Sequence, residues 1–398
     1  MLPDKMMSSK YLNACFINNL TVAELVLRND KTSIKETYFN GDTPLHLSAT
    51  TNNMELCDLL LKYQIDINKT NCLQKTALML ACQNSNSNIV RKLLSEPSIK
   101  VNASDFTGKT ALNFAVESNS IEIIEIFMQE SIYWTLDWNH FDITSTSAPI
   151  SALKKGPNDM IRKLLSVTSI DWNLTDENGN NAMMIAIKRK DIKTVAFLLK
   201  KQNIDYNQTN SRGETIILLA ASNDNYECLA MLMKIEEINW NFRENSYGNT
   251  AAITAIKNKS KKCLKILKSI KNIDWNIENS LQESPFSLSV RFDQDDIFEF
   301  LLGSGRTSIN IEFLKENRIM EKTIRKTLCL VRSIMNKRNL VDQNQNDAKI
   351  IINISHEFMF ALTENLSCSI VKILVFGLTT TDIKLLVLHC INSDRVAP

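Results

Sequence analysis

The sequence GDTPLHLSA occupies residues 41–49, and its pattern returns seven times further along the chain. Thr43 serves as the reference position of this pattern. The matching positions, at intervals of 33 to 38 residues, are Thr76, Thr110, Ala148, Asn181, Thr215, Thr250 and Ser284. Ser9 begins a less regular copy, which brings the total to nine. A period of this length indicates a protein built from one repeated supersecondary unit.

Each copy of the pattern predicts a turn followed by two helices. An apolar residue such as Leu45 stands two places after the reference position, and a small one such as Ala81 stands five places after it. An apolar run with helical spacing follows, for example MELCDLLL at 54–61. Glycine two places before the reference position, with Asn or Asp upstream, predicts a tight turn with positive φ. The predicted fold class is all-α.

A unit of this length that carries TPLH at 43–46 resembles the ankyrin repeat. The resemblance implies an ankyrin-repeat solenoid over residues 1–303, with about eight full repeats after a degenerate first one. A helical C-terminal region is expected over 304–398. Most copies replace the histidine of the motif, for example by Met79 or Asn113. These departures put the hydrogen bonds of that histidine in doubt, not the fold.

A tetrapeptide of the form IDWN recurs in the later copies, at 136–139, 170–173, 204–207, 238–241 and 273–276. Its aromatic position holds Trp138, Trp172, Tyr206, Trp240 and Trp275. The rings either pack between successive repeats or form an exposed cage for a ligand. Because a single repeat cannot bury its apolar face alone, we expect the rings to be buried between neighbours.

By resemblance to the family, partners contact the hairpin tips and the exposed end of the first helix of each repeat. Seven places after the reference position, the later repeats carry Lys155, Lys188, Lys257 and Arg291, and Arg189 lies beside them. These cations either solvate a helix end or form a concave groove for an acidic segment of a protein partner. The aromatic residues expected to contact a partner are Phe39, Phe106, Tyr247 and Phe292.

The last ninety-five residues, 304–398, break the period. One interpretation is a helical cap that covers the final repeat. The other is an F-box-like segment, which would bind the adaptor of cullin-ring ubiquitin ligases. Its spacing is similar to that of an F-box at Leu366, Ile370, Leu374, Leu378, Asp382 and Ile383, although serines replace the usual Pro and Glu at 367 and 369. The order of ankyrin repeats and F-box also resembles host-directed proteins of poxviruses and intracellular bacteria.

Composition narrows the function classes. The net charge of +2 gives no reason to expect nucleic acid as a partner. Charges at Lys372, Asp382 and Lys384 argue against a membrane span over 370–391. Nine scattered cysteines without a CxxC pair predict reduced, buried thiols, a cytoplasmic location (the host cytoplasm for a secreted effector) and no metal site.

The sequence therefore predicts a non-enzymatic protein–protein interaction scaffold without a cofactor. The abundant Asn, Ile and Lys are typical of a microbial or viral protein. The resemblance to host-directed proteins implies an effector that acts on host proteins. The first alternative is a substrate receptor that brings partners to a ubiquitin ligase. The second is a cysteine-dependent enzyme near Cys368 or Cys390, although no carboxylate pair or nucleophile elbow accompanies these thiols.

Overall fold

The structure, a computed structural model, describes residues 9–130, 136–304 and Lys326. Its contacts divide the chain into two units, residues 1–205 and 206–398. The sequence-based domain boundary between 303 and 304 stays a prediction. The F-box-like residues 366–383 and the C-terminal cysteines lie outside the described residues.

The described part of the first unit consists of six helical hairpins. Their helices are α1 (Lys10–Phe16), α2 (Leu20–Asn29), α3 (Pro44–Thr51), α4 (Met54–Lys62), α5 (Ala77–Gln83), α6 (Ser87–Leu94), α7 (Ala111–Glu117), α8 (Ile121–Glu130), α9 (Ala148–Lys155), α10 (Asn158–Ser166), α11 (Ala182–Lys188) and α12 (Ile192–Leu198). The odd-numbered helices α3 to α11 pack side by side in one layer, and the even-numbered helices α2 to α12 form a second layer.

The described part of the second unit repeats this hairpin three times. Its helices are α13 (Ile216–Ser222), α14 (Tyr226–Leu232), α15 (Ala251–Lys257), α16 (Lys261–Ser269), α17 (Pro285–Arg291) and α18 (Asp295–Ser304). Helix α15 packs between α13 and α17, and α14 packs against α16. Within the described residues, extended pairing is limited to two isolated bridges, so the predicted all-α class and the hairpin repeat are confirmed.

In every repeat but the fourth full one, the reference residue is the N-cap of a first helix, a position from which a side-chain oxygen can satisfy an otherwise unpaired backbone N–H. The Thr43 hydroxyl accepts from the amide of His46. The His46 ring accepts from the Thr43 amide through Nδ1 (3.1 Å), and Nε2 contacts the Lys75 carbonyl of the next repeat (2.9 Å). Where histidine is replaced, Asn113 still accepts from the Thr110 amide (3.0 Å). The cap therefore survives the loss of the motif.

The fourth full repeat begins one residue earlier than the sequence pattern indicates. Ser147, not Ala148, is the N-cap of α9. Ser145 accordingly takes the positive φ of +57° that belongs two places before the cap. The lengthened connection before this repeat hides the register, and alanine has no side-chain oxygen with which to cap a helix. The residue seven places after the cap is consequently Lys154, not Lys155.

The predicted aromatic core is confirmed at the four tryptophans of the tetrapeptide. Their exposed fractions are 1% to 7%, for Trp138, Trp172, Trp240 and Trp275. Tyr206, at the same position, is only half-buried. Trp275 also meets the ring of Phe300 edge-on, with centroids 5.4 Å apart. An exposed aromatic cage is therefore excluded for these four tryptophans.

The asparagine that ends the tetrapeptide links each repeat to the next. In the first unit, Asn139 Nδ2 donates to the Ser169 carbonyl (3.0 Å), and its Oδ1 accepts from the Asp171 amide (2.9 Å). In the second unit, Asn207 makes the same pair of bonds with Glu237 (2.7 Å) and Asn239 (2.9 Å). One carboxamide thus satisfies a carbonyl and an amide about thirty residues ahead, which fixes the spacing of the hairpins.

Candidate interaction surface

The hairpin tips between repeats are joined to one another by backbone hydrogen bonds. In the first unit the amides of Cys72, Phe106 and Ile143 donate to the carbonyls of Asn40, Leu73 and Thr107, at 3.0, 3.4 and 3.0 Å. In the second unit the Ser280 amide donates to the Tyr247 carbonyl (2.7 Å). In each unit these bonds hold neighbouring tips at a fixed spacing, as a binding surface requires.

Apolar side chains stand exposed at these tips. Four successive hairpins of the first unit carry such side chains, and we call those that stand three or four places before each helix N-cap the tip row: Phe39, Leu73, Phe106 and Ile143. Their exposed fractions run from 50% to 92%. Phe141 is also exposed, beside Ile143. In the second unit Tyr247 and Leu281 are exposed at the tips as well. Repeated exposure of apolar side chains at one structural position is typical of a protein-binding surface, because such side chains do not stabilise the unbound protein.

Phe106 and Tyr247, which the sequence analysis named, are thus at exposed tips, whereas Leu73 and Ile143 were missed. The signal for them is present in the sequence, since both stand three or four places before a helix N-cap, as Phe39 and Phe106 do. Phe292 is half-buried and is the C-cap of α17, directly after its last residue.

The cations at the ends of the first helices mostly have partners eight residues earlier, just before the helix. Lys188 Nζ donates to Asn180 Oδ1 (2.7 Å), and Lys257 Nζ donates to Asn249 Oδ1 (3.3 Å). In earlier repeats the same two positions hold the reverse arrangement, as with Lys109 and Glu117 (2.5 Å). The long side chain therefore folds back along its helix and places its charge beside the hairpin.

The cation of the fourth full repeat follows the corrected register. Lys154 pairs with Glu177 (2.6 Å) and lies 3.6 Å from Asp176. Lys155 is exposed and forms no ion pair within the described part of the chain. Arg189 is also exposed and donates to the Leu153 carbonyl.

Glu283 is a buried carboxylate that forms ion pairs with two of the predicted cations. Lys257 Nζ lies 2.8 Å from one of its oxygens, and Arg291 Nη1 lies 2.6 Å from the other. Burial alone would raise the pKa of Glu283, but hydrogen bonds from Lys257 and Asn279 outweigh burial and lower it. Lys257 and Arg291 are therefore partly neutralised from within the protein.

Catalytic and metal chemistry finds little support in the described residues. They contain no group of three His, Cys, Asp or Glu side chains that could hold a metal ion. His46 and His140 contact backbone carbonyls of Lys75 and Gly108 (2.9 and 3.0 Å). Of the six described cysteines, five are buried as expected, and Cys72 is exposed. No described helix has the length and apolar content that crossing a bilayer requires.

Known proteins with similar sequences or structures were found for this chain. A 36% identical segment of 88 residues occurs in alpha-latrotoxin-Lg1a of Latrodectus geometricus, and it spans 22% of this chain and only 6% of the toxin. The crystal structure of the ankyrin repeat domain of Bcl-3, a unique member of the IkappaB protein family, superposes with a TM-score of 0.50 at 20% identity. It covers 58% of this chain and 100% of that domain. This likeness shows the fold.

A second solved structure, the ankyrin repeat protein EF0377, aligns with a TM-score of 0.43 at 24% identity and covers 49% of this chain and 97% of its own. A family model of ankyrin repeats in three copies matches residues 12–105, 65–142 and 150–244. These matches cover more than half of the sequence, and the chain therefore belongs to the ankyrin-repeat family.

Proposed function

We propose that the chain is a non-enzymatic scaffold whose tip row holds apolar side chains of a protein partner. Ankyrin repeats indicate a protein–protein interaction scaffold in general. The observation that supports this particular surface is the exposure of an apolar side chain on four successive, hydrogen-bonded hairpins. Burying such side chains against a partner removes apolar surface from water, which favours association.

We further propose that acidic side chains of the same partner reach the cations beside the hairpins. Lys155 and Arg189 are exposed, and the charge of Lys188 lies next to a hairpin through its contact with Asn180. Lys257 and Arg291 are expected to contribute less, because Glu283 already compensates their charge. Exposed cations of this kind mainly raise the rate of association.

The test compares two variants of the full chain. The tip variant replaces Phe39, Leu73, Phe106 and Ile143 by Ser. The control variant replaces Leu25, Phe197 and Met233 by Ser, since these exposed apolar residues lie on or just after second helices. Proximity labelling in the native cell identifies a partner, and calorimetry then measures its affinity for each purified variant.

The tip variant is expected to lose at least about tenfold in affinity, because each hot-spot side chain contributes roughly 1 kcal/mol or more. The control variant is expected to stay within about threefold of the unmodified chain. A partner that binds the tip variant as tightly as the unmodified chain would exclude the tip row as the binding surface.

A second proposed function is a substrate receptor for a cullin-ring ubiquitin ligase, within an effector that acts on host proteins. It is supported by the spacing of Leu366, Ile370, Leu374 and Leu378 and by their position behind the ankyrin repeats. The ligase adaptor should be pulled down by the full chain but not by the variant with both Ile370→Asp and Leu374→Asp. Equal recovery of the adaptor, or no recovery by either chain, would reject this function.

A further inference from the structure

The second helices of the first unit are joined by ion pairs. Lys62 on α4 pairs with Glu24 on α2 (2.9 Å), and Lys92 on α6 pairs with Asp58 on α4 (2.9 Å). Lys163 on α10 continues the series with a carboxylate of α8 (2.7 Å). Each of these three lysines is therefore paired with a carboxylate of the preceding second helix.

Helix α16 of the second unit departs from this arrangement. Residues 257–271 contain seven lysines and no acidic residue. Three of the lysines are engaged: Lys257 with Glu283, Lys262 over the ring of Tyr226, and Lys268 with the Asp296 carbonyl. The other four are exposed and have no ion pair among the described residues. We call them the lysine strip: Lys259, Lys261, Lys265 and Lys271.

Acidic side chains on the two helices beside α16 limit the width of the positively charged surface. On one side α14 carries the exposed Glu227, whose carboxylate accepts from the Tyr226 hydroxyl (3.1 Å). On the other side α18 carries Asp296 and Glu299, which act on the charge of Lys268. The strip runs from Lys259, just before α16, through Lys261 and Lys265 on the helix to Lys271 just after it, and the nine-residue helix is about 13 Å long. It is a narrow cationic line between acidic borders.

This shape discriminates among anionic partners. A flat anionic membrane would bring its charge against the carboxylates of Glu227 and Glu299 as well as against the lysines. A single-stranded nucleic acid requires aromatic rings on which its bases stack, in addition to a cationic groove for its phosphates. The two rings beside the strip, Tyr226 and Phe300, are already covered by the ammonium groups of Lys262 (4.6 Å) and Lys268 (5.2 Å).

We propose that the lysine strip, on and beside α16, binds an acidic peptide segment of a protein partner. Carboxylates spaced along an extended or helical segment pair with the ammonium groups of Lys259, Lys261 and Lys265, while the acidic borders repel wider anionic surfaces. This surface is independent of the tip row, so either proposal can fail without the other.

The experiment measures fluorescence anisotropy of a labelled peptide of about ten glutamates at an ionic strength of about 0.05 M, where surface charges are weakly screened. The strip variant changes Lys259, Lys261 and Lys265 to Glu in the full chain. The control variant changes Lys69, Lys100 and Lys193 to Glu. These lysines are also exposed and without an ion pair among the described residues, so the change in net charge is identical.

The strip variant is expected to bind the peptide at least about tenfold more weakly than the unmodified chain, and the control variant less than about threefold more weakly. Replacing the same three strip lysines by Gln should weaken binding by about threefold or more, which keeps the test valid if the Glu variant misfolds. Equal losses in the strip and control variants would overturn the proposal. Tighter binding of an oligothymidylate or of phosphatidylserine vesicles than of the peptide would also overturn it.

Discussion

The first unit (described over 9–130 and 136–205) and the second (described over 206–304 and Lys326) are built on one hairpin but handle charge differently. The first pairs several lysines of its second helices with carboxylates of the preceding second helix, as in Lys62–Glu24. The second leaves the lysine strip uncompensated and instead buries Glu283 between two cations. The buried tryptophans, by contrast, occur in both units. Packing thus fixes the interior of the repeat, whereas exposed positions are free to diverge and to acquire binding roles.

The largest predicted effect tests whether the buried tryptophans stabilise both units to the same extent. We expect Trp172→Ala in the first unit and Trp275→Ala in the second each to lower the free energy of unfolding by about 3–5 kcal/mol, because each removes a buried indole. Urea denaturation followed by circular dichroism measures the loss. Phe106→Ala, which truncates an exposed ring, is the control and should cost less than about 0.5 kcal/mol. A large loss for only one tryptophan would break the equivalence of the units.

A smaller difference is predicted at the turn glycines. Gly41 and Gly248 both have positive φ, of +78° and +69°. A Cβ at Gly41 would lie 2.9 Å from the backbone nitrogen of Cys72, whereas one at Gly248 would first meet the movable end of Arg243 (2.8 Å). We expect Gly41→Ala to cost about 2–3 kcal/mol and Gly248→Ala about 1 kcal/mol in thermal unfolding. Equal costs would show that the Cys72 backbone moves aside.

The sequence predicts the interior of this protein well, because burial imposes a period that a single chain displays. The N-caps at Thr43 and Thr250 and the buried tryptophans follow directly from that period. The register failed at Ala148, because a lengthened connection interrupts the period and serine and alanine stand side by side at the helix start.

The surface was harder to predict, because the state of a charge depends on its neighbours in space. The column containing Lys188 and Lys257 suggests a free cationic groove, yet both lysines bond to residues eight places earlier. Complementary residue types at that spacing, as at Glu283 and Arg291, are the signal in the sequence. The ion pairs between second helices cannot be predicted from a short spacing in the sequence, because they join side chains some thirty to forty residues apart.

The first unit is also expected to respond to mild acid through His46. Burial lowers the pKa of His46, although the Lys75 carbonyl and Asp42 act in the opposite direction. The unfolded chain then binds a proton more readily than the folded one, so stability is complete above the ordinary pKa of about 6.5 and falls as the pH decreases. We expect a loss of up to about 1 kcal/mol between pH 7.5 and 5.5.

The matched variant for this prediction is His46→Asn, because asparagine already fills the corresponding position at Asn113 and caps its helix there. Its stability should depend less on pH over the same interval, measured by urea denaturation at each pH. Glu283 does not interfere, since its lowered pKa means that its contribution is lost only at more acidic pH. Parallel curves for the two proteins would show that His46 is not the titrating group.

The smallest predicted effect compares a paired lysine of the first unit with an unpaired lysine of the second. Lys163→Ala removes an ion pair with Glu125 (2.7 Å) and should cost about 0.5 kcal/mol at low salt. Lys265→Ala removes no ion pair and relieves repulsion of Lys268, so its cost should be near zero. At about 1 M salt, where the screening length is about 3 Å, the two variants should become equal. If Lys265→Ala instead costs as much as Lys163→Ala at low salt, Lys265 stabilises the fold. The strip lysines would then not be unpaired charges available to a partner.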